Sequence, residues 1–169
     1  LELGCGSRAF LFALNELVQA RYYGLDYSSN LIDIAKLALP EADFIASEAS
    51  TPVFDDISFD IVFSHSVFQY FPNLDYANTV IERWCKNIKQ GGMLLLLDLN
   101  DKNNEDNYHR ERMLAYTSPD DYYDNYEGLE HLFFDKGNLV SKLKACGMTS
   151  IEYFDHAVTD YGNAKFRFN

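Results

Sequence analysis

"LELGCGSRAF" fills residues 1–10, and its two glycines govern how the rest of the chain is read. Leu1–Leu3 is the tail of an apolar strand. Gly4 and Gly6 then allow a tight turn and a close backbone approach to a ligand, with no Cβ in the way. Phe10, Leu14, Leu17 and Val18 recur at helical spacing, which predicts a helix over residues 8–20. Such a helix points free N–H groups and its positive dipole end at whatever occupies the turn. Downstream, Asp26 closes the next apolar segment, "YYGLD". Strand, glycine turn, helix and acidic strand end form a nucleotide-binding arrangement, in which the carboxylate accepts hydrogen bonds from ribose hydroxyls. Gly4, Gly6 and Ala9 also satisfy the looser dinucleotide spacing GxGxx(G/A), so the turn alone leaves the nucleotide open.

Outward from the turn, strand and helix patterns alternate. Ser28 caps a helix through "NLIDIAKLAL" that Pro40 helps to stop. "ADFIAS" reads as a third strand and "FDIVFSH" as a fourth. Ala77, Val80, Ile81, Trp84 and Ile88 line one face of a helix that Gly91 or Gly92 ends. "MLLLLDL" is the near-continuous apolar run of a strand buried on both faces. "GNLVSKLKACG" is a last helix, followed by "TSIEYF" and "AKFRF" as a closing strand pair. This order predicts an α/β domain spanning residues 1–169, with a mostly parallel sheet and helices on both faces.

Composition narrows the partners. The chain of 169 residues has a net charge of −12, which repels nucleic-acid backbones and anionic membranes. Cys5, Cys85 and Cys146 are odd in number and widely spaced, which suits free thiols in a reducing compartment. No apolar run approaches the ~18 residues of a membrane span, and the expected location is the cytoplasm. No His, Cys, Asp and Glu grouping has metal-ligand spacing, so no metal is expected.

Five segments in order resemble the class I methyltransferases that use S-adenosylmethionine: "LELGCGS", "YGLDYSSNLIDIAK", "FDIVFSHSVFQYF", "IERWCKNIKQGGMLLLLDL" and "LVSKLKACGMTSIEYF". The resemblance covers nearly the whole chain. It implies a Rossmann-like doubly wound sheet with strand order 3-2-1-4-5-7-6 and an antiparallel last strand. It also implies S-adenosylmethionine as cofactor, S-adenosylhomocysteine as product and a small-molecule acceptor. Carried over by position, the Gly4–Cys5–Gly6 turn meets the cofactor and Asp26 holds the ribose, serving the ligand and not the core. Tyr27 lies against the adenine, while Glu48 with the backbone at Ala49 meets its amino group. Ser64 lies at the carboxyl end of the fourth strand, where such sheets hold ligands. Glu2 is an acid in an otherwise apolar central strand, which calls for a partner. An ammonium and a sulfonium offer one, whereas a dinucleotide pyrophosphate would be repelled.

Two departures stand out. Arg8 replaces a third glycine, and either pairs with the cofactor carboxylate or points into water; the second is favoured. The chain also starts inside the first strand, where family members carry some tens of residues that cover the cofactor. Affinity and turnover are therefore expected to rise in any version extended upstream. His65, beside Ser64, is the first-choice base for a hydroxyl acceptor, with Gln69 and Tyr70 as acceptor contacts and His109 and His131 unplaced. The variable insert over residues 100–130 is the expected seat of specificity. Tyr116, Tyr122, Tyr123 and Tyr126 stand there among Asp120, Asp121, Asp124 and Glu127, as an aromatic and acidic wall for a neutral or cationic acceptor. Two other readings stay open: a cofactor-binding protein of this fold without catalysis, and a nicotinamide-dependent oxidoreductase.

Overall fold

In the computed structural model, which describes residues 1–156, 158 and 160–169, the apolar runs line up as five parallel strands. These are β1 (Glu2–Leu3), β2 (Tyr23–Asp26), β3 (Asp43–Ala46), β4 (Phe59–His65) and β5 (Ile88–Leu97), in the order β3-β2-β1-β4-β5. β1 is central: Glu2 lies opposite Gly24 and Phe63, and Leu3 opposite Leu25 and Ser64. After a kink at Asp98 the chain continues as β6 (Leu99–Asn100), which pairs antiparallel with β7 (Arg167–Phe168). On the far side of β7, Asp155 bridges Phe168, and Phe154 and Asn169 exchange backbone hydrogen bonds of 2.9 and 2.8 Å. The expected order 3-2-1-4-5 is thus present, with an antiparallel pair, β6 and β7, beside it. "TSIEYF" forms no regular strand, because the partner it reaches is only two residues long.

Among the described residues, α1 (Ala9–Asn15), α2 (Ser29–Ala38), α3 (Leu74–Cys85) and α6 (Lys136–Ala145) flank the sheet, while α4 (Glu105–Met113) and α5 (Pro119–Tyr126) pack on each other in the insert. Leu11, Ile32, Ala35, Phe44 and Phe63 pack α1 and α2 onto one face. On the other, Val80, Ile81 and Trp84 from α3 meet Leu3, Val62 and Phe168, with Leu139 and Leu143 of α6 at the margin. Caps follow sequence: Ser28, Asn73, Ser118 and Asp135 each accept a backbone N–H from the first turn of the helix that follows. No helix among the described residues is long and apolar enough to cross a membrane.

Two boundaries differ from the periodicity. α3 stops at Cys85, and Ile88 opens β5 opposite Phe59, so Gly91 and Gly92 lie within that strand and do not end the helix. α1 ends at Asn15, where Leu17 and Val18 both donate to the Leu14 carbonyl and close the last turn. Leu17 is 80% exposed. Beside it the α1 side of β4 and β5 forms an open apolar groove of about 650 Å³, lined by Phe10, Leu14, Val18, Ile61, Leu95 and Leu97 among others.

Candidate active site

The glycine turn follows β1 at the carboxyl end of the sheet, between β2 and β4. Gly4, Gly6 and Arg8 alternate in the left-handed region, with φ of 71°, 53° and 74°. The N–H groups of Gly4 and Cys5 both donate to the Leu25 carbonyl, at 2.8 and 3.0 Å, which fixes the turn on β2. A Cβ on Gly4 would fall 2.5 Å from Cγ2 of Val67, so the turn packs hard against the segment after β4. A Cβ on Gly6 would meet nothing within 4 Å. Gly6 therefore faces the crevice.

Asp26 stands at the mouth, buried to 6% exposure. Its Oδ2 accepts the Gly6 N–H and its Oδ1 the Ser28 N–H, each at 2.9 Å. The carboxylate thus organises both the turn and the start of α2 before any ligand arrives. That corrects the expectation that it serves the ligand and not the fold. Each oxygen retains a free lone pair for a hydroxyl donor.

Glu2 is 3% exposed, and its Oε2 has no hydrogen-bond partner among the described residues. Burial pushes its carboxyl up to about 8; the Leu1 amine opposes the shift and Asp26 adds to it. An acid this buried and unpaired is expensive unless a cation joins it. The Cys5 thiol is turned under α1 beside Leu11 and Phe63, and burial raises it to about 12, so only its backbone belongs to the turn.

The other expected residues divide. Tyr27 is 79% exposed, its ring free beside Asp26. Glu48 is exposed and accepts the Tyr76 hydroxyl at 2.9 Å, while the Ala49 carbonyl is taken by the Trp84 indole N–H at 2.7 Å. Ser64 is buried and donates to the Leu3 carbonyl at 3.1 Å, so its hydroxyl ties β4 to β1. His65 is exposed and stacks on Phe10, with centroids 5.5 Å apart, on the α1 side of the sheet. The Arg8 guanidinium is not simply solvated: it lies 4.5 Å over the Phe12 ring, and Nε and Nη1 are shielded without a partner among the described residues.

Two features escaped the sequence. Ser66 and Asp98, at the ends of adjacent β4 and β5, both adopt positive φ, 58° and 63°, and their side chains hydrogen-bond to each other. Asp98 is buried and also receives Arg167 and the Tyr161 hydroxyl. The signal was an acid closing the apolar run "LLLLDL". The second feature is the docking of the insert. Leu132 N–H donates to the Gln69 carbonyl at 2.8 Å, and Tyr70 and His131 meet edge to face at 4.9 Å. Tyr122 and Tyr126 are buried, whereas Asp120, Asp124 and Glu127 are exposed, so the insert lines itself with aromatic rings.

A family model described as a methyltransferase domain matches residues 1–96. Among curated relatives, trans-aconitate 2-methyltransferase of Rhizobium rhizogenes is 30% identical over 101 residues, 57% of this chain and 36% of that protein. Demethylmenaquinone methyltransferase of Lactococcus lactis is 31% identical over 105 residues, 58% of this chain and 40% of that one. The matched part of the chain therefore spans well under half the length of these relatives. Two solved structures share the fold. The putative methyltransferase of Haloferax volcanii, in complex with its Trm112 activator, superposes with a TM-score of 0.71 at 21% identity, covering 94% of this chain and 65% of that one. Magnesium protoporphyrin IX methyltransferase of Synechocystis PCC 6803, with bound S-adenosylmethionine, gives 0.65 at 13% identity, covering 99% and 64%. The family match runs from the glycine turn through β5, more than half of the chain, and with the sheet order it places this chain in the methyltransferase domain family, among the class I S-adenosylmethionine-dependent methyltransferases.

Proposed function

We propose that this chain binds S-adenosylmethionine and directs its methyl group to a small-molecule acceptor. The observation that carries this reading is Glu2: a buried, unpartnered acid beside a glycine turn whose other fixed groups are carboxylates. Such a donor set suits an ammonium, a sulfonium and ribose hydroxyls, and it opposes a pyrophosphate. When bound, the cofactor supplies an electrophilic methyl group on sulfur. Glu2 would neutralise its cationic end, and Asp26 would accept from the ribose with the lone pairs left over from Gly6 and Ser28. Tyr27 would cover the adenine, with the Glu48 carboxylate as acceptor for its amino group. The Gly4–Cys5–Gly6 backbone admits the ligand closely because it carries no side chain on the crevice side.

In-line methyl transfer depends mainly on positioning and on keeping water out. Residues 1–96 would then serve as the cofactor half of one domain and the insert over 100–130 as the acceptor half. A base is needed only where the acceptor carries a proton; the nitrogens of His65 have no hydrogen-bond partner among the described residues to orient them, and no step is given to it. The net charge of −12 favours small solutes over nucleic acid or anionic membrane as partners, and three free cysteines suit a reducing compartment such as the cytoplasm. Calorimetric titration with S-adenosylhomocysteine, S-adenosylmethionine and NAD tests the reading. Saturable binding of the two adenosyl compounds and none of NAD is expected. Tighter binding of NAD would overturn it, and cofactor binding without turnover on any acceptor would favour a non-catalytic member of the fold.

A further inference from the structure

We propose that the inner face of the insert is an anion site, and that the acceptor carries a carboxylate held by Arg112 and by the Nε2–H of His131. The term acceptor rests on the methyl-transfer reading above; the anion site does not.

Arg112 comes from α4, one turn beyond Tyr108, and its guanidinium lies over the rings of Tyr108 and Tyr126 at 5.2 and 5.7 Å. It is half-buried, and its Nε is shielded without a hydrogen-bond partner among the described residues. No carboxylate reaches it within ion-pair distance among those residues, although the chain holds 26 acidic side chains against 14 basic ones. Arg21, Arg83 and Arg167 each sit against an aspartate. Of the three acids on α4, Glu105 pairs with Lys102 and Glu111 with Lys165, and Asp106 is exposed. Asp120, Asp124 and Glu127, which prompted the expectation of a neutral or cationic acceptor, are exposed. The interior of the insert therefore carries a positive charge with no counterion at ion-pair distance among the described residues, and its walls are aromatic.

His131 supplies the second donor. Its backbone N–H donates to the Tyr126 hydroxyl at 3.1 Å, and its Nδ1 lies 2.9 Å from the Tyr108 hydroxyl. A phenol is the better donor and an imidazole nitrogen the better acceptor, so Nδ1 accepts and Nε2 carries the proton. Nε2 makes no hydrogen bond among the described residues and reaches the surface. Burial, followed by the charges of Arg112, Arg167 and His109, lowers the His131 pKa and keeps the ring neutral at pH 7. The titratable groups around the ring are Tyr108, His109 and Arg112 from α4, Tyr126 from α5, Tyr70 after β4 and Arg167 from β7. Its contact with Tyr70 places the ring at the carboxyl end of the sheet. Gln69, 1% exposed, brings an amide whose oxygen and nitrogen both lack partners among the described residues. One guanidinium and one neutral N–H match the single charge of a carboxylate better than a phosphate dianion, which asks for more.

The test uses the whole chain with 15N-labelled histidine, followed by NMR with and without S-adenosylhomocysteine. The probes are succinate and benzoate, their neutral amides succinamide and benzamide, and the diamine putrescine. The carboxylates should shift the His131 ring signals saturably and raise its apparent pKa, because an adjacent anion favours the imidazolium. The amides and the diamine should not. Arg112→Gln should weaken carboxylate binding about 10- to 100-fold, the range for a charged hydrogen bond. Arg112→Lys, which keeps the charge, should lose less and stands in if the glutamine variant does not fold. Absence of any His131 response to both carboxylates, an equal response to the amides, or a response to putrescine alone would overturn the proposal. Binding of S-adenosylhomocysteine without carboxylate binding would sink the anion site and leave the methyltransferase reading standing. Carboxylate binding without S-adenosylhomocysteine binding would do the reverse.

Discussion

Replacing Asp26 by alanine separates its two duties. In the free chain its carboxylate accepts two backbone N–H groups, from Gly6 and Ser28, at 2.9 Å each. A hydrogen bond to a charged group contributes about 1.5–3 kcal/mol. Water can reach the Gly6 donor once the side chain is gone, so the lower end applies there, and the total cost is about 3–4.5 kcal/mol. For a domain of this size 1 kcal/mol moves the melting temperature by roughly 2–4 °C, which puts the shift in the range of about 6–18 °C. Asp26→Asn keeps one carbonyl oxygen and presents an amide N–H₂ to the other donor, so it should fall about halfway. Circular dichroism melts without ligand read the structural duty, and titration with S-adenosylhomocysteine reads the other, expected to weaken about tenfold or more. A ligand-free melting temperature of Asp26→Ala within about 2 °C of the parent would refute the claim that this carboxylate holds the turn.

Gly4→Ala should cost more than Gly6→Ala in urea denaturation. Both carry the left-handed penalty of about 1–2 kcal/mol, but only the first drives a methyl into Val67, for about 1–3 kcal/mol more; equal losses would discount that contact. Glu2, whose folded carboxyl sits near 8 against an ordinary 4.5, binds its proton more tightly folded than unfolded. Its contribution is full below the ordinary value and is lost as pH rises to about 8, so stability relative to Glu2→Gln should decline across that window, and a flat difference would contradict it. Arg167→Met leaves Asp98 buried without its cation and should destabilise by about 3–5 kcal/mol, measured by denaturant midpoint; a loss below about 1 kcal/mol would mean the pair is solvated.

The glycine turn and its surroundings were legible because their signals are local. A glycine forced by positive φ, an acid at a strand end and a serine cap each act within a few residues, and Gly4, Asp26 and Ser28 stand where their chemistry demanded. The boundaries failed where tertiary contacts overrode periodicity. Leu17 and Val18 continue the helical spacing of α1, yet the chain turns at Leu14 beside an open groove. Ile88 completes a helical face by spacing but pairs with Phe59 in the sheet. The interior of the insert was not legible, because it depends on which residues the fold gathers from distant segments. Arg112 and His131 come to share the Tyr108 and Tyr126 rings only after α4 and the segment following α5 dock together, and no spacing announces a cation by the carboxylate it lacks. Asp98 was visible as a lone acid in "LLLLDL", but its meaning depends on Ser66 and Arg167, 32 and 69 residues away.

The two ends of the insert are clipped together mainly by main-chain bonds. Phe134 donates to the Asn100 carbonyl, Lys102 donates back to that of Phe134, and Leu132 reaches the carbonyl of Gln69. Side chains matter to this seam where Tyr108 packs on Phe133 and Phe166 beyond the insert. Elsewhere the backbone bonds hold the ends whatever lies between Lys102 and Leu132. Under the proposed function, the rest of the lining could be exchanged, and with it what is methylated, while the glycine turn keeps its shape and its hold on the methyl donor.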